Sequence, residues 1–218
     1  MNPIELSVAS AALTGVAEEM GTVLVRSSLS ANIKERRDCS AALFDARGRM
    51  VAQAEHIPVH LGAMPESVAA VIAHGPRLGE TWILNDPFAG GSHLPDITMV
   101  TPLALEGRIA AFACTRAHHS DVGGTAPGSM PATSTSIWQE GVIVPPVRLT
   151  DEVLAVLLAN VRTPELRRGD LAAQSAANRL AQERLAELRF PLTDAFEAVI
   201  AYAERRAREA IGRLPDGR

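Results

Sequence analysis

The chain has 218 residues, 47% of them apolar and 21% charged, and a formal net charge of -4 at pH 7. This composition is typical of a globular protein with a hydrophobic core, and the acidic balance argues against nucleic acid as the main partner, because phosphate binding needs a basic face. With two cysteines, no signal-peptide pattern and no run of eighteen apolar residues, we expect a reduced, cytoplasmic protein with no membrane partner.

The first half of the chain alternates between helical and strand patterns. Apolar residues recurring at threes and fours predict a helix over residues 3–30. Two short apolar segments around a turn signal then predict a hairpin over residues 39–53. A second helix is predicted over residues 65–74, between Pro65 and the Gly-Pro pair that follows, and a short strand over 81–84.

The second half contains the clearest strand pair, residues 97–105 and 108–115, which reads as an antiparallel hairpin. Pro102 in its first strand indicates an edge position or a local irregularity. Residues 123–148 are rich in glycine, proline, serine and threonine and are predicted to form a loop, with Trp138 as its local anchor. From Pro164 to about residue 212 the pattern is helical, with a break at Pro191.

These elements predict an α+β fold, with a mixed, largely antiparallel sheet, flanking helices and a helical C-terminal segment. We expect an α+β domain over residues 1–160 and a helical segment over residues 161–218.

The most reactive side chains flank the predicted hairpin. One run before it contains His93 and Asp96, and one run after it contains His118, His119 and Asp121. Two imidazoles and one carboxylate that converge make a facial metal site, which leaves coordination positions open for water or substrate. The sequence therefore predicts a metal site at the mouth of this hairpin, with His93 and Asp96 contributed from one side.

The register of the hairpin decides which histidine faces Asp96, because a slip of one residue moves a side chain to the other face. A two-residue turn would place His119 on the face of Asp96, but the Glu-Gly pair at the tip is a poor type I′ turn. A three-residue loop over residues 105–107 fits better; it places Asp96 opposite Arg116 and turns His118 toward Asp96. We favour His118 as the ligand and keep His119 as the alternative.

Other candidates are weaker. His56 and His60 bracket Pro58, which argues against an α-helix that would align the two imidazoles. Cys39 follows basic residues but begins an apolar strand with no evident base beside it, so a catalytic thiol is not favoured. The glycine pairs lack the Gly-Lys-Ser/Thr ending of a phosphate loop, so ATP binding by this chain alone is not supported.

Five segments of the chain carry a family resemblance. In chain order they are Glu35-Arg36-Arg37-Asp38-Cys39-Ser40, His56-Ile57-Pro58-Val59-His60-Leu61-Gly62, Asn85-Asp86-Pro87 through His93-Leu94-Pro95-Asp96, His118-His119-Ser120-Asp121-Val122-Gly123-Gly124, and Arg162-Thr163-Pro164-Glu165 through Asp170. In these segments the chain resembles the hydantoinase B/oxoprolinase family, which includes the B subunit of N-methylhydantoinase, the corresponding half of 5-oxoprolinase and a related subunit of acetone carboxylase.

The resemblance implies a subunit of an ATP-dependent amidohydrolase that acts on a small cyclic amide of the hydantoin or 5-oxoproline type by metal-assisted hydrolysis. The metal ligands of the carboxylase branch carry over to His93, Asp96 and His118, for a divalent ion of the manganese, zinc or iron type. Asp121 or His119 would then be the nearest general base.

The resemblance also implies partners. ATP would enter only through a hydantoinase A-type ATP-binding subunit. Family members are longer, so the chain is expected to be an N-terminal portion, a split-gene product or a truncated remnant. In the case of a split gene, a separate chain would supply the missing C-terminal half. The alternatives are an acetone-carboxylase-like subunit and a truncated, non-catalytic assembly subunit.

Overall fold

A computed structural model describes residues 1–60 and 62–215. The helices are α1 (Pro3–Ser27), α2 (Ala31–Lys34), α3 (Met64–Ala73), α4 (Asp151–Ala159), α5 (Pro164–Glu187) and α6 (Leu192–Ile211), with 3-10 turns at Pro58–His60 and Ile137–Gln139. The strands are β1 (Cys39–Asp45), β2 (Met50–Glu55), β3 (Trp82–Leu84), β4 (Asp96–Leu105), β5 (Arg108–His118) and β6 (Val147–Arg148).

The six strands form one antiparallel sheet in the order β2-β1-β5-β4-β3-β6. The predicted α+β class is confirmed. Helix α3 packs on one face of the sheet, where Val68 meets Phe44 and Phe112 in a buried cluster. Helices α1, α5 and α6 cover the other face. Side chains alternate between these two faces along each strand, so position in the strand decides which helices a residue contacts.

Helix α1 begins with a capping box, in which Asn2 accepts the backbone N–H of Glu5 and the Glu5 carboxylate accepts the backbone N–H of Asn2. By length and composition α1 could cross a membrane. Its buried residues Leu13, Met20 and Leu24, however, belong to the core cluster that also contains strands β1 and β5. Packing against the sheet makes α1 a core helix.

Helix α5 is tied to the sheet by a row of amide side chains spaced four residues apart. Gln174 donates to the carbonyl of Ile97, and Asn178 donates to that of Met99. Gln182 bonds both backbone groups of Ala104, accepting from the N–H at 2.6 Å and donating to the carbonyl at 3.0 Å. The pairing of β4 with β3 spans only Thr98 to Val100. Helix α5 therefore supplies hydrogen bonds to β4 beyond the end of β3.

The predicted α+β domain (residues 1–160) and the predicted helical segment (residues 161–218) both contribute side chains to one hydrophobic core. Ala177 and Phe196, from the predicted C-terminal helical segment, share a buried cluster with Leu13 and Leu43. The boundary at residue 160 stays a prediction. Only the first turns of α6 pack against the core, and residues 201–211 are exposed to solvent.

Two local expectations differ from the structure. Trp138, predicted to anchor its loop, is 77% exposed. Helix α4 lies in a stretch for which no element was predicted; Thr150 caps it by accepting the backbone N–H of Val153.

Candidate metal centre

The β4–β5 hairpin places Asp96 directly opposite His118. The turn has two residues after all, with φ values of 52° at Glu106 and 76° at Gly107, as in a type I′ turn. The predicted three-residue loop, with Asp96 opposite Arg116, was therefore wrong. The pairing shifts by one residue where Leu103 faces Ala111 and Ala104 faces Ile109, which leaves Ala110 as an extra residue in β5.

Three ligand-type side chains converge at this end of the hairpin. The ligand atoms of His93, Asp96 and His118 lie within 4.8 Å of one another. Asp96 Oδ2 is 3.0 Å from His93 Nδ1, and Asp96 Oδ1 is 3.3 Å from His118 Nδ1. Asp96 is buried, whereas His93 and His118 are partly exposed. The predicted ligand set is thus brought together, with His118 rather than His119 beside Asp96.

A packed loop positions His93. Asn85 closes this loop by donating from its side-chain amide to the carbonyls of Leu94 and Val142. Arg116, which is fully buried on the α3 face of the sheet, donates to Ser67 Oγ and lies 3.4 Å from the carbonyl oxygen of Gly90. The loop is therefore held against both α3 and the sheet before the chain enters β4.

A third histidine, His60, adjoins the cluster, although it was only a weak candidate from the sequence. His60 is buried, its Nδ1 lies 3.0 Å from Ser40 Oγ, and its Nε2 lies 3.4 Å from Asp96 Oδ2. Asp38, just before β1, places carboxylate oxygens 3.9 Å from both His60 Nε2 and His118 Nδ1. Both residues lie in family-like motifs, which was the available signal. Their approach to Asp96 depends on how β1 and the 3-10 turn pack.

The electrostatics of the cluster centre on Asp96. Burial raises the pKa of its carboxyl, but the adjacent imidazoles of His118, His60 and His93 outweigh burial and hold the pKa well below its usual range. The pKa of His93 is raised, chiefly by its hydrogen bond to Asp96. A buried, ionised carboxylate surrounded by imidazoles has the charge and the donor types that a divalent transition metal takes.

The two predicted general bases, His119 and Asp121, are not members of the converging ligand group. His119 points to the opposite face of the sheet, where its Nε2 lies 2.9 Å from Gln174 Oε1. Burial lowers the pKa of His119 to about 4, so the ring is neutral at pH 7. Asp121 accepts hydrogen bonds from the backbone of Gly123 and from the guanidinium and backbone of Arg162. Both side chains are engaged in structural contacts, and the prediction of a catalytic role gains no support from these contacts.

The thiol of Cys39 is buried, and burial raises its pKa to about 12. The protonated form dominates at neutral pH, which agrees with the expectation that Cys39 is not a nucleophile.

The motifs that build this site match a known family. The model of the hydantoinase B/oxoprolinase family matches residues 2–218. The chain belongs to this family. In an alignment 231 positions long, it is 39% identical to 5-oxoprolinase 1 of Arabidopsis thaliana. This alignment covers 95% of this chain and 18% of the plant protein.

Two solved structures share the fold of this hydantoinase B/oxoprolinase chain. The ATP-dependent caprolactamase of Pseudomonas jessenii superposes with a TM-score of 0.91 at 30% identity, covering 100% of this chain and 40% of that one. A nucleotide-free acetone carboxylase superposes with a TM-score of 0.83 at 19% identity, covering 91% of this chain and 28% of that one. The second likeness shows the fold alone. The chain spans less than half the length of each of these relatives.

Proposed function

We propose that the chain is a subunit or portion of an ATP-dependent hydrolase of small cyclic amides, with a divalent metal held by His93, Asp96 and His118. The observation that carries the proposal is the convergence of these three ligand atoms within 4.8 Å in a chain of the hydantoinase B/oxoprolinase family. A bound metal would supply Lewis acidity toward the amide carbonyl, or a hydroxide from coordinated water.

The donor set fits such an ion. Asp96 is an anionic ligand in a buried position, and its Oδ1 has no hydrogen-bond donor in good geometry among residues 1–60 and 62–215. Two nitrogen ligands and one carboxylate suit manganese, iron or zinc and leave coordination positions free. The residues of the chain would hold the ion and orient the carboxylate.

ATP would enter the reaction through a hydantoinase A-type partner subunit. The names of the caprolactamase and 5-oxoprolinase relatives support a lactam-type substrate. The likeness to acetone carboxylase concerns the fold, so carboxylation is the second candidate. Because the chain covers 40% of the caprolactamase chain, a non-catalytic assembly role is the third.

Metal analysis tests the site. The purified chain is incubated with Mn²⁺, Zn²⁺ or Co²⁺, desalted and measured by plasma mass spectrometry, in parallel with His93→Ala and with His74→Ala as a surface control. His74 lies at the C-terminal end of α3 and is exposed. We expect about one ion per wild-type chain and a loss of at least tenfold in affinity for His93→Ala alone. Equal metal content in all three proteins would refute the ligand assignment.

Substrate assays test the reaction class. The chain is combined with an A-type partner and ATP, and ADP release and ring opening are followed with 5-oxoproline, hydantoin and a caprolactam-type lactam. Acetone with bicarbonate tests carboxylation. We expect ATP-dependent ring opening that is lost in His93→Ala. Assembly with the partner but no turnover on any substrate would favour the non-catalytic role.

A further inference from the structure

His60 is fixed on one side by β1. Its side chain is 1% exposed, and Ser40, which is fully buried, places its hydroxyl oxygen 3.0 Å from Nδ1. The side chains of Ser40 and His60 lie on the same face of the sheet as Asp96. Because both ring and hydroxyl are packed, the opposite nitrogen of the ring has a defined direction.

That nitrogen faces two carboxylates. His60 Nε2 is 3.4 Å from Asp96 Oδ2 and 3.9 Å from Asp38 Oδ1. An ionised carboxylate offers only acceptors, so the ring nitrogen that faces it carries the hydrogen. In the neutral ring Nδ1 then accepts, and the Ser40 hydroxyl donates to it. The Ser40 hydroxyl therefore fixes the ring, and the N–H at Nε2 is directed at Asp96 Oδ2 across 3.4 Å, a separation longer than that of a well-formed hydrogen bond.

The two carboxylate oxygens of Asp96 have different neighbours. Ser92 donates to Oδ2 at 2.9 Å, and the same oxygen lies 3.0 Å from His93 Nδ1 and 3.4 Å from His60 Nε2. Oδ1 lies on the side of His118 and, within the described parts of the chain, accepts no well-formed hydrogen bond. His60 itself is outside the group of three converging ligand atoms. Oδ2 is therefore fixed by a hydrogen bond, and Oδ1 remains available to ligate a metal ion.

We propose that His60, oriented by Ser40, is a positioning residue that fixes Oδ2 of Asp96 so that Oδ1 is presented to a divalent metal. The inference rests on the proposed metal site and adds a residue to it that does not ligate the ion. Outer hydrogen bonds of this kind orient a ligating carboxylate, and losing one typically weakens metal affinity roughly 10- to 100-fold.

Cobalt titration of the full chain tests the proposal, using calorimetry and the visible absorption of bound Co²⁺. His60→Leu removes both ring contacts, His60→Gln keeps an N–H donor near the position of Nε2, and Ser40→Ala removes only the partner of Nδ1. Gln174→Leu is the matched control, since Gln174 is equally buried on the other face of the sheet.

We expect His60→Leu to weaken Co²⁺ binding roughly 10- to 100-fold, with a smaller loss in Ser40→Ala. His60→Gln and Gln174→Leu should stay within about threefold of wild type, because neither removes the donor to Asp96. If His60→Leu does not fold, Ser40→Ala decides: an unchanged affinity overturns the proposal. Equal weakening in His60→Leu and Gln174→Leu also overturns it, since affinity would then follow stability alone.

The tautomer provides a readout that a packing role would not produce. Long-range proton–nitrogen correlation spectra of the metal-free chain should show His60 protonated at Nε2, and a neutral ring protonated only at Nδ1 would contradict the proposal. A different result would refute the proposed metal site itself. That result is either no Co²⁺ binding by the wild-type chain or full binding by His93→Ala.

Discussion

Asp96 and His118 are paired directly across the β4–β5 ladder, and a single extra residue near the hairpin tip makes this pairing possible. Regular pairing from the two-residue turn would place Asp96 opposite Ala117 and turn His118 to the α5 face of the sheet. Ala110 takes up one position as a bulge, so the two side chains project on the same face. A backbone irregularity about seven residue pairs away thus sets the geometry of the candidate metal centre.

The metal should stabilise the folded chain. At a free metal concentration about 100-fold above Kd, linkage predicts about 2.7 kcal/mol of added stability, or a rise in Tm of about 5–10 °C for a chain of this size. Asp96→Asn should abolish this rise, because it removes the anionic ligand from the cluster. Differential scanning calorimetry with and without Mn²⁺ or Zn²⁺ measures both proteins. A full metal-dependent rise in the variant would contradict the assignment.

The loop that carries His93 should not tolerate a side chain at Gly90. The backbone φ of Gly90 is +96°, and a Cβ atom on this residue would lie 2.7 Å from the carbonyl oxygen of Glu66. Gly79, with φ +84° and open space around it, is the matched control. Alanine at either position costs about 1–2 kcal/mol for the left-handed backbone, and overlap at Gly90 adds about 1–3 kcal/mol.

Urea denaturation measures this difference, and metal titration measures its effect on the site. Gly90→Ala should be the less stable variant and should also bind metal more weakly, since the loop must move away from α3. Equal stability and equal affinity in the two variants would mean that the contact with Glu66 does not position the loop.

Gln174 should matter more to stability than Gln182. Its amide bonds the carbonyls of Ile97 and Thr115 and accepts from His119, all in a buried setting. Gln174→Leu should lower the free energy of unfolding by about 2–4 kcal/mol, because several buried polar groups lose partners. Gln182→Leu, at a half-buried position, should cost about 1 kcal/mol. Chemical denaturation of the two variants gives the comparison, and a reversed order would contradict it.

Asp121 distinguishes a structural from a catalytic role. Burial raises the pKa of its carboxyl, but hydrogen bonds from Gly123 and Arg162 outweigh burial and lower it. A lowered folded pKa contributes stability above the unfolded value near 4, and that stability is lost as the pH falls through the folded pKa. Asp121→Asn should therefore be less stable than wild type by about 1–2 kcal/mol at pH 7, given the partly exposed guanidinium.

The difference should shrink as the pH is lowered below about 4, as wild type loses the same contribution. Thermal melts from pH 7 to pH 2.5 provide the measurement. If Asp121 were a general base, Asp121→Asn would keep its stability, and only the proposed ring-opening activity would fall.

The ligand set was predictable because strand faces repeat every two residues. The predicted loop put Asp96 opposite Arg116, two residues from its true partner His118. A register error of two residues leaves each side chain on the same face of the sheet, so His118 was still predicted on the face of Asp96. The bulge itself has no sequence signature, since neither Ala110 nor its neighbours Ile109 and Ala111 is a glycine or a proline. Likewise, the contact between His60 and Asp96 depends on tertiary packing between segments 36 residues apart in sequence, which no local pattern encodes.

The hydrogen bonds from Gln182 to Ala104 occupy backbone groups that another strand could otherwise pair with. A strand whose N–H and C=O groups lie open invites another chain to dock along it. Here a helix side chain already occupies both groups of Ala104, where β3 no longer pairs with β4. These two backbone groups of Ala104 are therefore not open to pairing with a strand of another chain.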